Sequence, residues 1–201
     1  MNRNTMRSSI GLAVAIFILS PSLACAHLVT TGMGPVYDAI GHLLLTPEDL
    51  VPAIALALYA GMRGAETGRR AMFMLPVAWL IGGLAGSSIN FATSLPIPAV
   101  SFLILGGIIA ADLWLPSSAV AGLAVMLGFV HGFLNGAVLK GNSGVTALLG
   151  IAAMLFIMAP IVSALALSLK KPWERIAVRV AGSWIAAVGL LMMGWAIRLR
   201  Q

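Results

Sequence analysis

The chain has 201 residues, 60% of them hydrophobic and only 9% charged, with a formal net charge of +6. A soluble domain carries roughly a quarter charged residues, and the mean hydropathy here is +1.03, so a water-covered globule is excluded and a membrane protein with several spans is expected. The basic excess then reads as a topology signal, and without basic–aromatic interleaving nucleic acid is removed from the partners.

Residues 1–26, MNRNTMRSSIGLAVAIFILSPSLACA, carry the marks of a secretory signal peptide. Arg3 and Arg7 form a basic start, residues 10–19 a short apolar run, and Ala24-Cys25-Ala26 an A-x-A cleavage site. An uncleaved first span is the alternative. Cleavage after Ala26 would remove the single cysteine, Cys25, and leave His27 first, its free amine beside its imidazole. Residues 27–201 then form one integral membrane domain, an all-α polytopic helix bundle.

About six transmembrane helices are predicted, over roughly 48–62, 71–91, 95–113, 117–139, 144–169 and 176–197. The stretch 35–45 is read as a possible separate half-helix. Thr46-Pro47-Glu48-Asp49 has the form of a helix start: a capping threonine, a first-turn proline and two acids at the positive end of the helix dipole. A cleaved signal peptide puts the mature N-terminus in the periplasm, with the chain in the bacterial inner membrane. Arg63, Arg69, Arg70, Lys170, Lys171 and Arg175 then face the cytoplasm, and only Lys140, Arg198 and Arg200 face out. That balance agrees with the positive-inside rule. Gly82, Gly83 and Gly86, and Gly128, Gly132 and Gly136, recur at helical spacing and allow close helix approach.

The chain has six acidic residues and three histidines. Asp38, His42, Glu48 and Asp49 gather within residues 34–49, GPVYDAIGHLLLTPED. Asp38 and His42 are four apart and share a helix face. Asp49 competes with Asp38 as the carboxylate partner of His42. His131 and Asn135, again four apart, fall in the outer half of the fourth predicted span, and Asn90 at the outer end of the second. All three histidines thus fall toward one side of the membrane. Ionisable groups in such places are expensive and functional by default. Imidazole with carboxylate suits borderline divalent ions such as nickel, cobalt, zinc or copper(II). The predicted site is His42, Asp38 and His131 as ligands, with Asp49, Glu48 and His27 gathering the cation, and Asn90 and Asn135 as neutral pathway or supporting groups. The structural alternatives are helix-start acids at Glu48 and Asp49, and a simple hydrogen bond from His131 to Asn90 or Asn135. Asp112 and Glu174 read as solvated.

An intramembrane hydrolase is the weaker alternative. Gly141-Asn142-Ser143-Gly144 has the GxSG form, and His131 with Asn135 resembles the oxyanion pair of rhomboid proteases. A serine at 143 would need a base further along the chain, and no histidine follows His131.

Two patches, GHLLLTPEDL at 41–50 with the apolar run after it, and FVHGFLNG at 129–136, resemble the HupE/UreJ family of hydrogenase and urease accessory membrane proteins. Gly41 stands where that family has an aspartate before its histidine. In the other alignment, Asp49 matches the family's aspartate and Leu50 replaces the adjacent histidine. Asn135 stands where a second later histidine is expected. The resemblance implies a permease or facilitator for a divalent metal, nickel first, with metalloenzyme maturation proteins as partners and no permanently bound cofactor. A non-transporting accessory or metal-sensing subunit is the other role it allows.

Overall fold

The computed structural model describes residues 31–89, 96–139 and 143–199, whose regular secondary structure is all helix, with no strand among them. Seven helices follow in order: α1 (Pro35–Leu45), α2 (Pro47–Met62), α3 (Ala65–Ser87), α4 (Ile97–Ala110), α5 (Ser117–Val138), α6 (Gly144–Ser168) and α7 (Pro172–Arg198). The expected signal peptide, His27, Asn90 and loop residues 140–142 lie outside the described residues.

Each of the six predicted windows holds a helix, but they are not six full spans. Four are long and apolar enough to cross a membrane: α3, α5, α6 and α7. A fifth crossing follows if α1 and α2, bent by 77° at their junction, form one broken span. Helix α4 has 14 residues, about 21 Å at 1.5 Å per residue, against a hydrocarbon core of about 30 Å.

Both departures have local causes. Thr46 is extended, at φ −105 and ψ 91, because the proline ring that follows pushes its predecessor out of the helical region. The helix therefore breaks there and restarts at Pro47. Thr46 occupies the cap position of α2 but makes no side-chain capping bond, contrary to expectation. Helix α4 starts against Pro96 and Pro98 and ends before a left-handed turn at Asp112, φ 50.

Helix α2 is central and packs against α1, α3, α4, α5 and α6. The most extensive pairing is α3 with α5, built on the glycines singled out in the sequence. A Cβ on Gly132 would collide with the Trp79 carbonyl oxygen, one on Gly136 with Gly83, and one on Gly82 with Phe129. Small residues let the two backbones touch. Helix α7 packs mainly on α4, and Trp173, Trp184 and Trp195 are exposed along it. The consecutive helices α4 and α5 line a cavity of about 360 Å³ between them.

Candidate metal centre

The centre sits where α2, α4 and α5 meet. Asp49 lies in the first turn of α2, and the break at Thr46 turns this turn into the bundle, so the carboxylate is buried. His131 lies on α5 and is fully buried. Its neighbour Gly132 brings this stretch of α5 against the Trp79 backbone. The indole ring of Trp79 lies 5.6 Å from the imidazole, tilted by 34°.

Four side chains connect there. His131 Nδ1 is 2.7 Å from Asp49 Oδ1. Asn135 Nδ2 donates to Asp49 Oδ2 at 2.8 Å and to the His131 carbonyl at 3.0 Å. Ser101 Oγ, on α4, is 2.9 Å from His131 Nε2 and 3.3 Å from the Ile97 carbonyl. Asn135 Oδ1 and Trp79 Nε1 are buried without a hydrogen-bond partner.

The chemistry fixes the direction of these bonds. A carboxylate only accepts, so Nδ1–H donates to Asp49. In the neutral ring Nε2 then carries the lone pair and accepts from the Ser101 hydroxyl. A histidine whose second nitrogen is held by a carboxylate is the usual arrangement behind a metal-ligating imidazole. The same chain of bonds, hydroxyl to imidazole to carboxylate, also has the order of a hydrolase triad.

Other predicted site residues lie elsewhere. Asp38 Oδ1 accepts from the Thr31 hydroxyl and main-chain N–H. His42 is half-buried on α1, and Glu48 is exposed. Among the described residues no three histidine, cysteine or acidic side chains converge as a metal-binding group. Asp49, which sequence left between His42 and solvent, is instead the partner of His131. Ser101 was missed altogether. Ser143, of the GxSG stretch, is the cap position of α6.

A second polar layer closes the opposite end of α2. Asp112 takes Arg63 at 2.5 Å and Arg175 at 2.8 Å, so it is ion-paired rather than solvated. The Arg63 guanidinium lies 4.9 Å above the Tyr59 ring, and the Tyr59 hydroxyl donates to the Leu113 carbonyl. Glu174, also read as solvated, remains exposed while accepting from the Lys171 main-chain N–H.

Burial works to raise the Asp112 carboxyl, but the hydrogen bond from Arg63 and the charges of Arg175 and Arg63 outweigh it. The group is held below its ordinary 3.8. An acid with a depressed folded pKa adds stability above its unfolded value and loses it as pH falls through the folded one. Thermal melts in detergent are therefore expected to show the wild type losing stability below about pH 3.8. Asp112→Asn is expected to be less stable at neutral pH and to lose less in that acid range. Parallel acid profiles for the two would rule out this pairing.

The family model described as HupE / UreJ protein matches residues 14–192. No curated protein matched the chain, and no solved structure did. The matched region includes both polar layers and all seven helices up to the last turns of α7. This chain belongs to the HupE/UreJ family, and membership implies a general role in nickel or cobalt handling, as a membrane transporter or accessory protein.

Proposed function

We propose that this chain is an inner-membrane facilitator for a divalent transition-metal ion, nickel first, serving metalloenzyme maturation. The observation that carries the proposal is the buried Asp49–His131 pair, joined by Asn135, at the meeting of α2 and α5. An ionisable pair inside a bundle of membrane helices is costly and is kept for function. Asp49 holds Nδ1, and Nε2, which accepts from the Ser101 hydroxyl, is the nitrogen an ion would take in place of that hydrogen bond. Imidazole nitrogen suits nickel, cobalt, copper(II) and zinc.

In this proposal His131 is the central ligand and Asp49 its orienting carboxylate. His42, Glu48, Asp38 and His27 gather the cation on the periplasmic side, and Asn90 and Asn135 are neutral pathway groups. The arginine count assigns the Arg63–Asp112–Arg175 layer to the cytoplasmic end. No nucleotide-binding motif accompanies the helices, so transport is driven by the membrane potential, about 2.3 kcal/mol per charge per 100 mV.

A second reading, a non-transporting accessory or metal-sensing subunit, has its own supporting observation. The polar side chains toward the second layer are already engaged: Ser163 donates to the Ala57 carbonyl, and Arg179 to Ala110. A facilitator must open this end during its cycle.

Nickel uptake into vesicles separates the roles of the histidines. His42→Ala is expected to raise the half-saturating concentration severalfold with little change in maximal rate. His131→Ala is expected to abolish uptake. Equal uptake by wild type and both variants would sink the proposal.

A further inference from the structure

Arg179 is a cation of α7 that neither polar layer absorbs. It lies seven residues past Pro172, about 10 Å along the helix axis, in a helix apolar enough to cross the membrane. Its Nε donates to the Ala110 carbonyl at the end of α4, at 3.0 Å. Among the described residues its terminal Nη1 and Nη2 groups make no hydrogen bond or ion pair. Asp112, two residues past Ala110, is already taken by Arg63 and Arg175. Glu174 accepts from the Lys171 main-chain N–H. This end of α4 and α7 therefore carries Arg63, Arg175, Arg179, Lys170 and Lys171 against two carboxylates. A charge in a membrane-spanning helix calls for a counter-charge, and no described carboxylate pairs with Arg179.

The depth of the guanidinium matches lipid phosphate. Helix α7 has 27 residues, about 40 Å. That equals a bilayer with its headgroups, about 40–45 Å, rather than its hydrocarbon core of about 30 Å. The headgroup layer on each side is thus roughly 5–8 Å deep, and the Arg179 backbone lies just beneath it. Helical side chains lean toward the helix N-terminus, and a long arginine stem covers apolar surface while its head returns to the interface. Exposed Trp173, at the start of α7, and exposed Trp114, two residues after Asp112, are of the type that anchors a chain at that interface.

Between the end of α4 and α7 lies a cavity of about 260 Å³, lined by Ala110, Ile176, Arg179, Val180 and Ser183. It equals the space of about eight waters at roughly 30 Å³ each, room for a phosphodiester and the first carbons attached to it. The Ser183 hydroxyl is committed to the Arg179 carbonyl at 3.0 Å, so the guanidinium is the side-chain donor the cavity offers. Ile176 and Val180 are exposed and apolar, which suits an acyl chain beside the headgroup and disfavours a fully hydrated inorganic ion.

We propose that Arg179, at the α4–α7 cavity, binds the phosphodiester of an anionic phospholipid from the adjoining leaflet. Nη1 and Nη2 donate to phosphate oxygens while Nε stays on Ala110. The excess of positive charge selects a headgroup with net negative charge, such as phosphatidylglycerol, over zwitterionic phosphatidylcholine. The site is separate from His131 and stands whether or not the chain carries metal.

Brominated lipids test this on the full chain, because they quench tryptophan, and Trp114, Trp173 and Trp184 are exposed. The protein is reconstituted in phosphatidylcholine vesicles with rising shares of brominated phosphatidylglycerol, and in parallel with brominated phosphatidylcholine. The wild type is expected to prefer phosphatidylglycerol about fivefold. Arg179→Gln is expected to lose that preference. Arg69→Gln, at an exposed arginine of α3 on the same side of the membrane, is expected to keep it. Arg179→Lys keeps the charge without the planar fork and is expected to retain a preference of about twofold; it decides the matter if Arg179→Gln does not reconstitute. No preference in the wild type, or the full preference in the Arg179 variants, would overturn the site. An equal loss in Arg69→Gln and Arg179→Gln would overturn it in favour of diffuse surface charge. Loss of the wild-type preference in millimolar inorganic phosphate, at constant ionic strength, would overturn the lipid in favour of free phosphate.

Discussion

Replacing His131 with alanine is expected to remove nickel binding almost completely, with affinity falling at least hundredfold. Loss of a group that merely supports a ligand already costs about 10- to 100-fold in metal affinity, and His131 offers the buried nitrogen itself. The variant also leaves Asp49 buried with Asn135 as its remaining partner. Losing a hydrogen bond to a buried charged group costs about 1.5–3 kcal/mol, so a lower melting temperature is expected too. Asp49→Asn separates the two effects. It keeps the shape of the side chain and removes the charge that fixes the imidazole tautomer. The fold is expected to survive, with nickel affinity down about 10- to 100-fold. Titration calorimetry with nickel reads both variants, and wild-type affinity in Asp49→Asn would mean that Asp49 does not orient the ligand.

The second large effect is steric. Gly132→Ala and Gly136→Ala each drive a methyl into the α3 backbone, at Trp79 and Gly83. A backbone cannot swing aside as a flexible side chain does, so α3 and α5 must separate. Overpacking of this kind costs about 1–3 kcal/mol and occasionally more. These glycines adjoin His131 and Asn135, so separation also moves the site, and nickel affinity is expected to fall with the melting temperature. Gly107→Ala and Gly122→Ala are the contrast, since a Cβ at either meets nothing within 4 Å. In a helix interior that change is expected to be neutral or to stabilise by about 0.5–1 kcal/mol. Equal melting temperatures for all four variants would contradict the close α3–α5 contact.

The helices and the small-residue contact were legible in the sequence because both are written in local periodicity. The number of spans was less so. Composition marks apolar stretches, but the bend at Thr46 and the 14 residues of α4 follow from prolines that cut such stretches short. The site was half legible. The topology count put Asp49 and His131 on one side of the membrane, yet helical spacing drew attention to Asp38 and His42, which neighbour each other in sequence. The partner of Asp49 lies 82 residues away, and only packing reveals it. Ser101 was invisible for another reason. A serine inside PIPAVSFLIL bonds its own helix backbone by default, and nothing nearby in sequence marks it as a partner of His131. Asp112 could have been read better, because the same topology that placed it inside also placed Arg63 and Arg175 there.

The most direct measurement is nickel flux into sealed proteoliposomes under an imposed inside-negative potential, with nickel binding measured on the same preparation. A facilitator whose station is His131 is expected to show flux that rises with the potential in the wild type and vanishes in His131→Ala. Nickel binding by the wild type with no flux at any potential would contradict transport and leave the accessory role.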